Sequence, residues 1–179
     1  VLTSRFNDNS DVDLVVDFNK AEVSDYFDNF FDFKYALENL FGRKVDLLEE
    51  QTIKNPYLNK LAAGYFVDDP AFAKAFQFHS AAKSVHHGFV GGLLEHTLSV
   101  VKMCVYFAGF YKEINRDLLL TAAMFHDIGK TKELSVFPEN DYTDDGQLLG
   151  HIIIGTEMVS DRIRQIPDFP EKLAVELKH

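Results

Sequence analysis

The sequence predicts an α+β chain in which a small, partial α/β unit over residues 1–60 precedes an all-α domain over residues 65–179. Three observations predict this. Residues 1–53 are acidic, Phe-rich and free of histidine, whereas all seven histidines fall at or after His79. Two short β-prone runs flank one helical run in the first half. From Pro70 onward the apolar spacing is helical throughout, and alternation of strands with helices stops.

Taken in order, Val12, Leu14, Val15, Val16 and Phe18 form a β-prone run with Asp13 and Asp17 set into it, so a strand is expected over 11–18. Residues 24–41 are expected to form a helix. Phe27, Phe30, Phe31, Leu37, Leu40 and Phe41 recur near three- and four-residue spacing, and Gly42 supplies the stop. Residues 44–48 give a second strand. Asn55-Pro56 breaks regular structure, which places the joint between the units within 53–64. Helices are expected over 70–78, 93–110, 116–128 and 149–166, with another starting at Pro170. Asp69 before Pro70 is a good opening, because proline suits the first turn. Residues 130–147, rich in Pro, Asn, Asp, Thr and Gly, are expected to be a loop with at most a short hairpin.

Composition excludes several classes. Of 179 residues, 46% are hydrophobic and 26% charged, the balance of a globular protein. A single cysteine, Cys104, rules out a disulfide framework or a Cys-rich zinc site. The net charge of −10 argues against a broad basic nucleic-acid-binding face, but not against an enzyme that meets nucleotides through bound cations. The longest dense apolar run, over 118–125, is far short of the roughly 20 residues that span a bilayer, and no basic, apolar signal segment opens the chain. A cytoplasmic protein without membrane contact is therefore expected.

Asp11-Val12-Asp13 puts two carboxylates two residues apart, on one face of a strand. Such close like charges call for a cation, and Mg²⁺ suits carboxylate and phosphate oxygens. Asp46, in the second strand, can supply a third carboxylate; the alternative is that Asp11 caps a turn while Asp13 and Asp46 are solvated. The surrounding run from Ser4 through Ser10-Asp11-Val12-Asp13-Leu14 resembles the signature of minimal nucleotidyltransferases of the polymerase-β-like superfamily. Phe41-Gly42-Arg43-Lys44-Val45-Asp46-Leu47-Leu48 and Lys54-Asn55-Pro56-Tyr57-Leu58 are similar to later segments of that family. The resemblance implies Asp11, Asp13 and Asp46 as Mg²⁺ ligands and Ser4 as a contact to nucleotide phosphate. Thr3 stands where the family carries glycine, and the family's opening helix is absent, so an incomplete domain is expected.

In the second half, His126-Asp127 ends the apolar run over 118–125, and a carboxylate buried there needs a partner or a metal. The alternative is a satisfied His–Asp hydrogen bond at a helix end. His96 and His151 also lie among apolar residues of expected helices, and helix bundles build metal sites from such facing side chains. Imidazole with carboxylate suits Mn²⁺, Fe or Zn²⁺. Three segments together resemble HD-domain phosphohydrolases, especially the bacterial HD-domain 3′-to-5′ exoribonucleases. They are His86-His87-Gly88 through Leu94-Glu95-His96-Thr97, Phe125-His126-Asp127-Ile128-Gly129-Lys130, and Leu149-Gly150-His151-Ile152. The resemblance implies His96, His126, Asp127 and His151 as ligands of a divalent metal, Mn²⁺ or Mg²⁺, with Asp127 able to bridge two ions. It implies Lys130 as a phosphate contact, the alternative being a cation that favours a helix C-terminus, and His86 and His87 as neighbours of the substrate. His79 is expected to be structural. The family's site continues with a further His-His pair and a distal aspartate, so a C-terminally incomplete HD domain in a piece of a longer polypeptide is expected.

Three functions follow as expectations. The foremost is a metal-dependent phosphohydrolase acting on RNA or nucleotides through metal-activated water. The second is a Mg²⁺-dependent nucleotidyltransferase using the N-terminal carboxylates. The third is a non-catalytic module, self-associating through its Phe-rich surface.

Overall fold

A computed structural model of the chain describes residues 12–16, 26–42, 45–49, 53–84, 87–111 and 113–179. These residues are mostly helical. The chain divides into two compact units, Val1–Thr52 and Ile53–His179.

In the first unit, β1 (Val12–Val16) and β2 (Val45–Glu49) pair in parallel, joined through helix α1 (Tyr26–Phe41). A parallel pair needs such a crossover. The register sets Asp13 opposite Asp46. Gly42, at φ +62°, ends α1 as its position predicts. Ser4 and Asp11 lie outside the described residues.

The second unit contains α2 (Pro56–Phe66), α3 (Pro70–Phe78), α4 (Gly92–Phe110), α5 (Arg116–Phe125), α6 (Lys130–Glu133), α7 (Asp144–Ile163) and α8 (Glu171–Lys178). Its core joins Leu58, Leu61 and Tyr65 of α2 to Phe125, Ile128, Ile154, Met158 and Leu173. Leu58 and Leu61 are fully buried, and each contributes about 2 kcal/mol by leaving water. Tyr65 donates to the Met158 carbonyl at 2.7 Å, and the Arg162 guanidinium sits 4.5 Å from its ring centre. The backbone N–H of Asn55 donates to Asp117 Oδ2 at 2.7 Å, which ties the start of α2 to the start of α5.

Several expectations are corrected here. Asn55-Pro56 opens a helix instead of breaking one. The Asn55 side chain accepts from the N–H groups of Tyr57 and Leu58, and Pro56 occupies a position whose N–H would go unused. The expected loop over 130–147 contains α6, an isolated antiparallel bridge between Leu134 and Tyr142, and the first turn of α7, capped by Thr143. The helix expected over 116–128 ends at Phe125, where the chain turns through His126–Gly129. The apolar residues around His96 and His151 are bundle core only in part: Leu93 and Ile154 are buried, but Leu94, Leu98, Leu149 and Ile153 are exposed, and Ile152 is 71% exposed. Finally, α4 is long and apolar enough by length and composition to cross a membrane, so the run over 118–125 is not the longest candidate. Yet α4 carries Glu95, His96 and Lys102.

Two buried polar side chains organise the approach to the site. Asn140 donates from Nδ2 to the carbonyls of Ala82 and Lys83, at 3.0 and 2.8 Å, and accepts from the Ser80 hydroxyl. It therefore pins the loop that leads toward His87. His79 is buried, and its Nε2 donates to the Lys130 carbonyl at 2.7 Å. Burial holds the His79 pKa below its ordinary 6.5, and the hydrogen bond to Lys130 opposes this only in part. Because the folded value lies below the unfolded one, the neutral form supports the fold fully above about pH 6.5, and that support is lost as pH falls toward the folded value. The melting temperature of the wild-type chain is thus expected to drop between pH 7 and pH 5.5 more steeply than that of His79→Gln. Parallel slopes in thermal melts of the two would contradict this role.

Candidate metal centre

The turn after α5 carries the centre. His126 caps α5, and its Nδ1 faces the Ala123 carbonyl at 2.8 Å. That acceptor requires a proton on Nδ1, so the neutral ring presents the Nε2 lone pair on its other side. His96, from the second turn of α4, meets it with Nε2 to Nε2 at 3.1 Å. Both nitrogens lie 3.3 Å from Asp127 Oδ2. The donor atoms of His96, His126 and Asp127 all fall within 4.8 Å of one another, the spacing of a metal-ligand group.

His151 approaches from the opposite side. Gly150 takes φ +73° inside α7, a conformation that costs glycine little, and the kink presents the next residue inward. His151 Nε2 lies 3.6 Å from Asp127 Oδ1. Its Nδ1 and its backbone N–H both face Glu133 Oε1, at 2.9 and 3.0 Å. Lys130, three residues past Asp127, brings Nζ to 2.8 Å from Asp127 Oδ2. His87 stands at the rim, its ring centre 5.5 Å from that of His96 and its Nε2 3.6 Å from Glu95 Oε1. His86 lies outside the described residues. Asp13 and Asp46 belong to the first unit, and Asp46 is the register partner of Asp13.

Charge and burial act differently on each member. The Asp127 side chain is 7% exposed, whereas the rings of His96 and His126 are one-third exposed, so the carboxylate forms the floor of an open centre. Burial alone would raise the Asp127 pKa. Hydrogen bonds from the imidazolium form of His126 and from Lys130, with their charges, outweigh it and hold the carboxyl well below its ordinary value. His126 is raised, chiefly by its hydrogen bond to Asp127. His96 is lowered, first by burial and then by its cationic neighbours, against the attraction of Asp127. The donor set fits a divalent cation. Three imidazole nitrogens converging on one buried carboxylate are a common metal shell.

Comparison with known families bears on this arrangement. Residues 93–176 match the HD domain. The helical half is HD-like. The matched span holds His96, His126, Asp127, Lys130 and His151, and HD domains depend on metal. Residues 1–69 match the nucleotidyltransferase domain. The chain is 34% identical over 127 residues to the 3′-5′ exoribonuclease YhaM of Bacillus velezensis, covering 71% of this chain and 39% of that protein. Identity is 39% over 104 residues to the same-named protein of Listeria innocua, 58% of this chain and 33% of that one. Over 145 residues it is 34% identical to that of Oceanobacillus iheyensis, covering 76% and 43%. The chain thus spans between one third and about two-fifths of the length of these relatives. No solved structure matches it significantly.

Sequence reasoning does not reach the contact of Glu133 with His151, of Asn140 with the 80–84 loop, or of His79, expected to be structural, with the Lys130 carbonyl. Their contacts bridge 18 to 60 residues of chain, and no local spacing marks them. The one available signal was the acidic side chain of Glu133, three residues after Lys130 in a segment read as loop.

Proposed function

We propose that the second unit is a metal-dependent phosphohydrolase of HD type that removes nucleotides from the 3′ end of RNA. The observation that carries this is the meeting of His96, His126 and His151 nitrogens around the buried Asp127 carboxylate. Those four residues would hold the metal. The imidazole-rich set favours Mn²⁺, Fe or Zn²⁺ over Mg²⁺, and we take Mn²⁺ as the working ion. A bound divalent metal supplies charge stabilisation at the phosphoryl oxygens and activates water. The chain's own residues do the rest. His126 is fixed in one tautomer by the Ala123 carbonyl. Asp127 stays ionised across the working pH range. Lys130, beside Asp127, would meet a phosphate oxygen, and His87, beside His96, would neighbour the substrate. The relatives named as exoribonucleases support RNA as the substrate class, and the cytoplasm is the compartment this reading expects.

The test is a 5′-labelled single-stranded RNA incubated with the chain and Mn²⁺. Products that keep the label and shorten stepwise from the 3′ end are expected, and chelation should abolish them. Internal cleavage, or no turnover with Mn²⁺, would refute the reading.

A second reading concerns the first unit, for which we propose an α/β nucleotidyltransferase-like fold over residues 1–60 with Ser4, Asp11, Asp13 and Asp46 at its Mg²⁺–nucleotide site. Its support is the parallel register that pairs Asp13 with Asp46, together with the family match. Label transfer from ATP that survives Asp13→Asn would exclude it.

A further inference from the structure

We infer that Glu133 is a positioning residue that fixes the His151 ring in the Nδ1–H tautomer, with its Nε2 lone pair turned toward Asp127. The inference rests on the metal-centre reading above, but its first readout needs neither metal nor turnover. One oxygen, Glu133 Oε1, accepts from both the backbone N–H and Nδ1 of His151. Two bonds to one residue fix both where the chain lies and how the ring is turned. The nitrogen bonded to an acceptor carries the proton, so the opposite nitrogen keeps its lone pair, and that nitrogen faces Asp127 Oδ1.

Glu133 is itself held. It is buried, at the end of α6, and its carbonyl accepts from the Thr143 N–H at 2.9 Å and from the Thr143 hydroxyl. The Gly150 kink leaves the His151 N–H directed at Glu133. A simpler role would be capping alone: a carboxylate on the first free N–H of the helix segment that follows the kink is stabilising whatever the ring does. Capping needs the bond to the backbone N–H and not the bond to Nδ1, so the tautomer separates the two roles.

Side-chain ¹⁵N NMR of the metal-free wild-type chain at pH 8 is expected to show His151 with a protonated Nδ1 and a bare Nε2. The opposite tautomer would overturn the inference, and this holds even if every Glu133 variant fails to fold. Calorimetric Mn²⁺ titration of Glu133→Gln should give affinity about 10- to 100-fold below wild type. In a His151→Ala background the same change should have no further effect, because the two residues act as one unit. An equal loss in both backgrounds would overturn the inference. If tautomer and coupling are as expected while RNA is not degraded, the nuclease reading fails and the positioning role stands.

Discussion

Asp127→Ala is expected to lower Mn²⁺-dependent phosphodiester turnover by about 10³-fold or more, measured with bis-p-nitrophenyl phosphate or RNA. Asp127 is the one side chain that every other member of the centre touches: His96, His126, His151 and Lys130 all lie within 3.6 Å of its oxygens. Removing it takes away the carboxylate that these four share and leaves three imidazoles and an ammonium around the gap. A metal in such a site contributes several kcal/mol to stabilising the reacting phosphoryl group, and each 1.36 kcal/mol is about tenfold in rate. His151→Ala should cost less, since His151 stands farther from the His96–His126 pair. Circular dichroism distinguishes lost chemistry from lost fold. Turnover by a folded Asp127→Ala chain within tenfold of wild type would mean that the chemistry lies elsewhere.

Gly129→Ala should disturb the fold at the centre itself. A Cβ at Gly129 would lie far inside van der Waals contact with the His151 carbonyl oxygen and 2.7 Å from the backbone nitrogen of Gly155. Both obstacles are main chain of α7, which cannot swing aside as a side chain would. The helix would have to move off the turn that carries Asp127, taking His151 with it. Overpacking of this kind typically costs about 1–3 kcal/mol, and more when backbone must shift. At 2–4 °C per kcal/mol, a melting temperature roughly 10 °C lower is expected. Gly150→Ala is the comparison. Gly150 has open space around it, so only its backbone conformation, φ 73° and ψ 159°, is penalised, at about 1–3 kcal/mol. If Gly129→Ala melts with wild type, the close approach of the turn to α7 is not what holds the centre together.

Much of this centre was legible because its key words are short. His126-Asp127 ends an apolar run, and a helix end is where a buried carboxylate finds partners; His96 and His151 stood out by their contexts. α3 begins and ends where its capping aspartate, proline and apolar spacing predict. What was not legible has physical reasons. Asn55-Pro56 reads equally as a break or as a cap with proline at the first turn, and only the burial of Leu58 and Leu61 decides for a helix. Apolar periodicity identifies α4 and α7 as helices but does not say that their apolar residues are covered, and many are not. The supports of the centre depend on pairing across the fold. Glu133 beneath His151, His79 beneath Lys130 and Asn140 beneath the 80–84 loop each join segments whose meeting no local pattern encodes.

The most direct measurement is a calorimetric titration of Mn²⁺ into the 179-residue chain, comparing wild type, Asp127→Ala and Asp13→Asn. Stoichiometric binding that is lost in Asp127→Ala and kept in Asp13→Asn is the predicted result, because the imidazole-rich group of the helical unit should be the Mn²⁺ site. Binding that survives Asp127→Ala would contradict it.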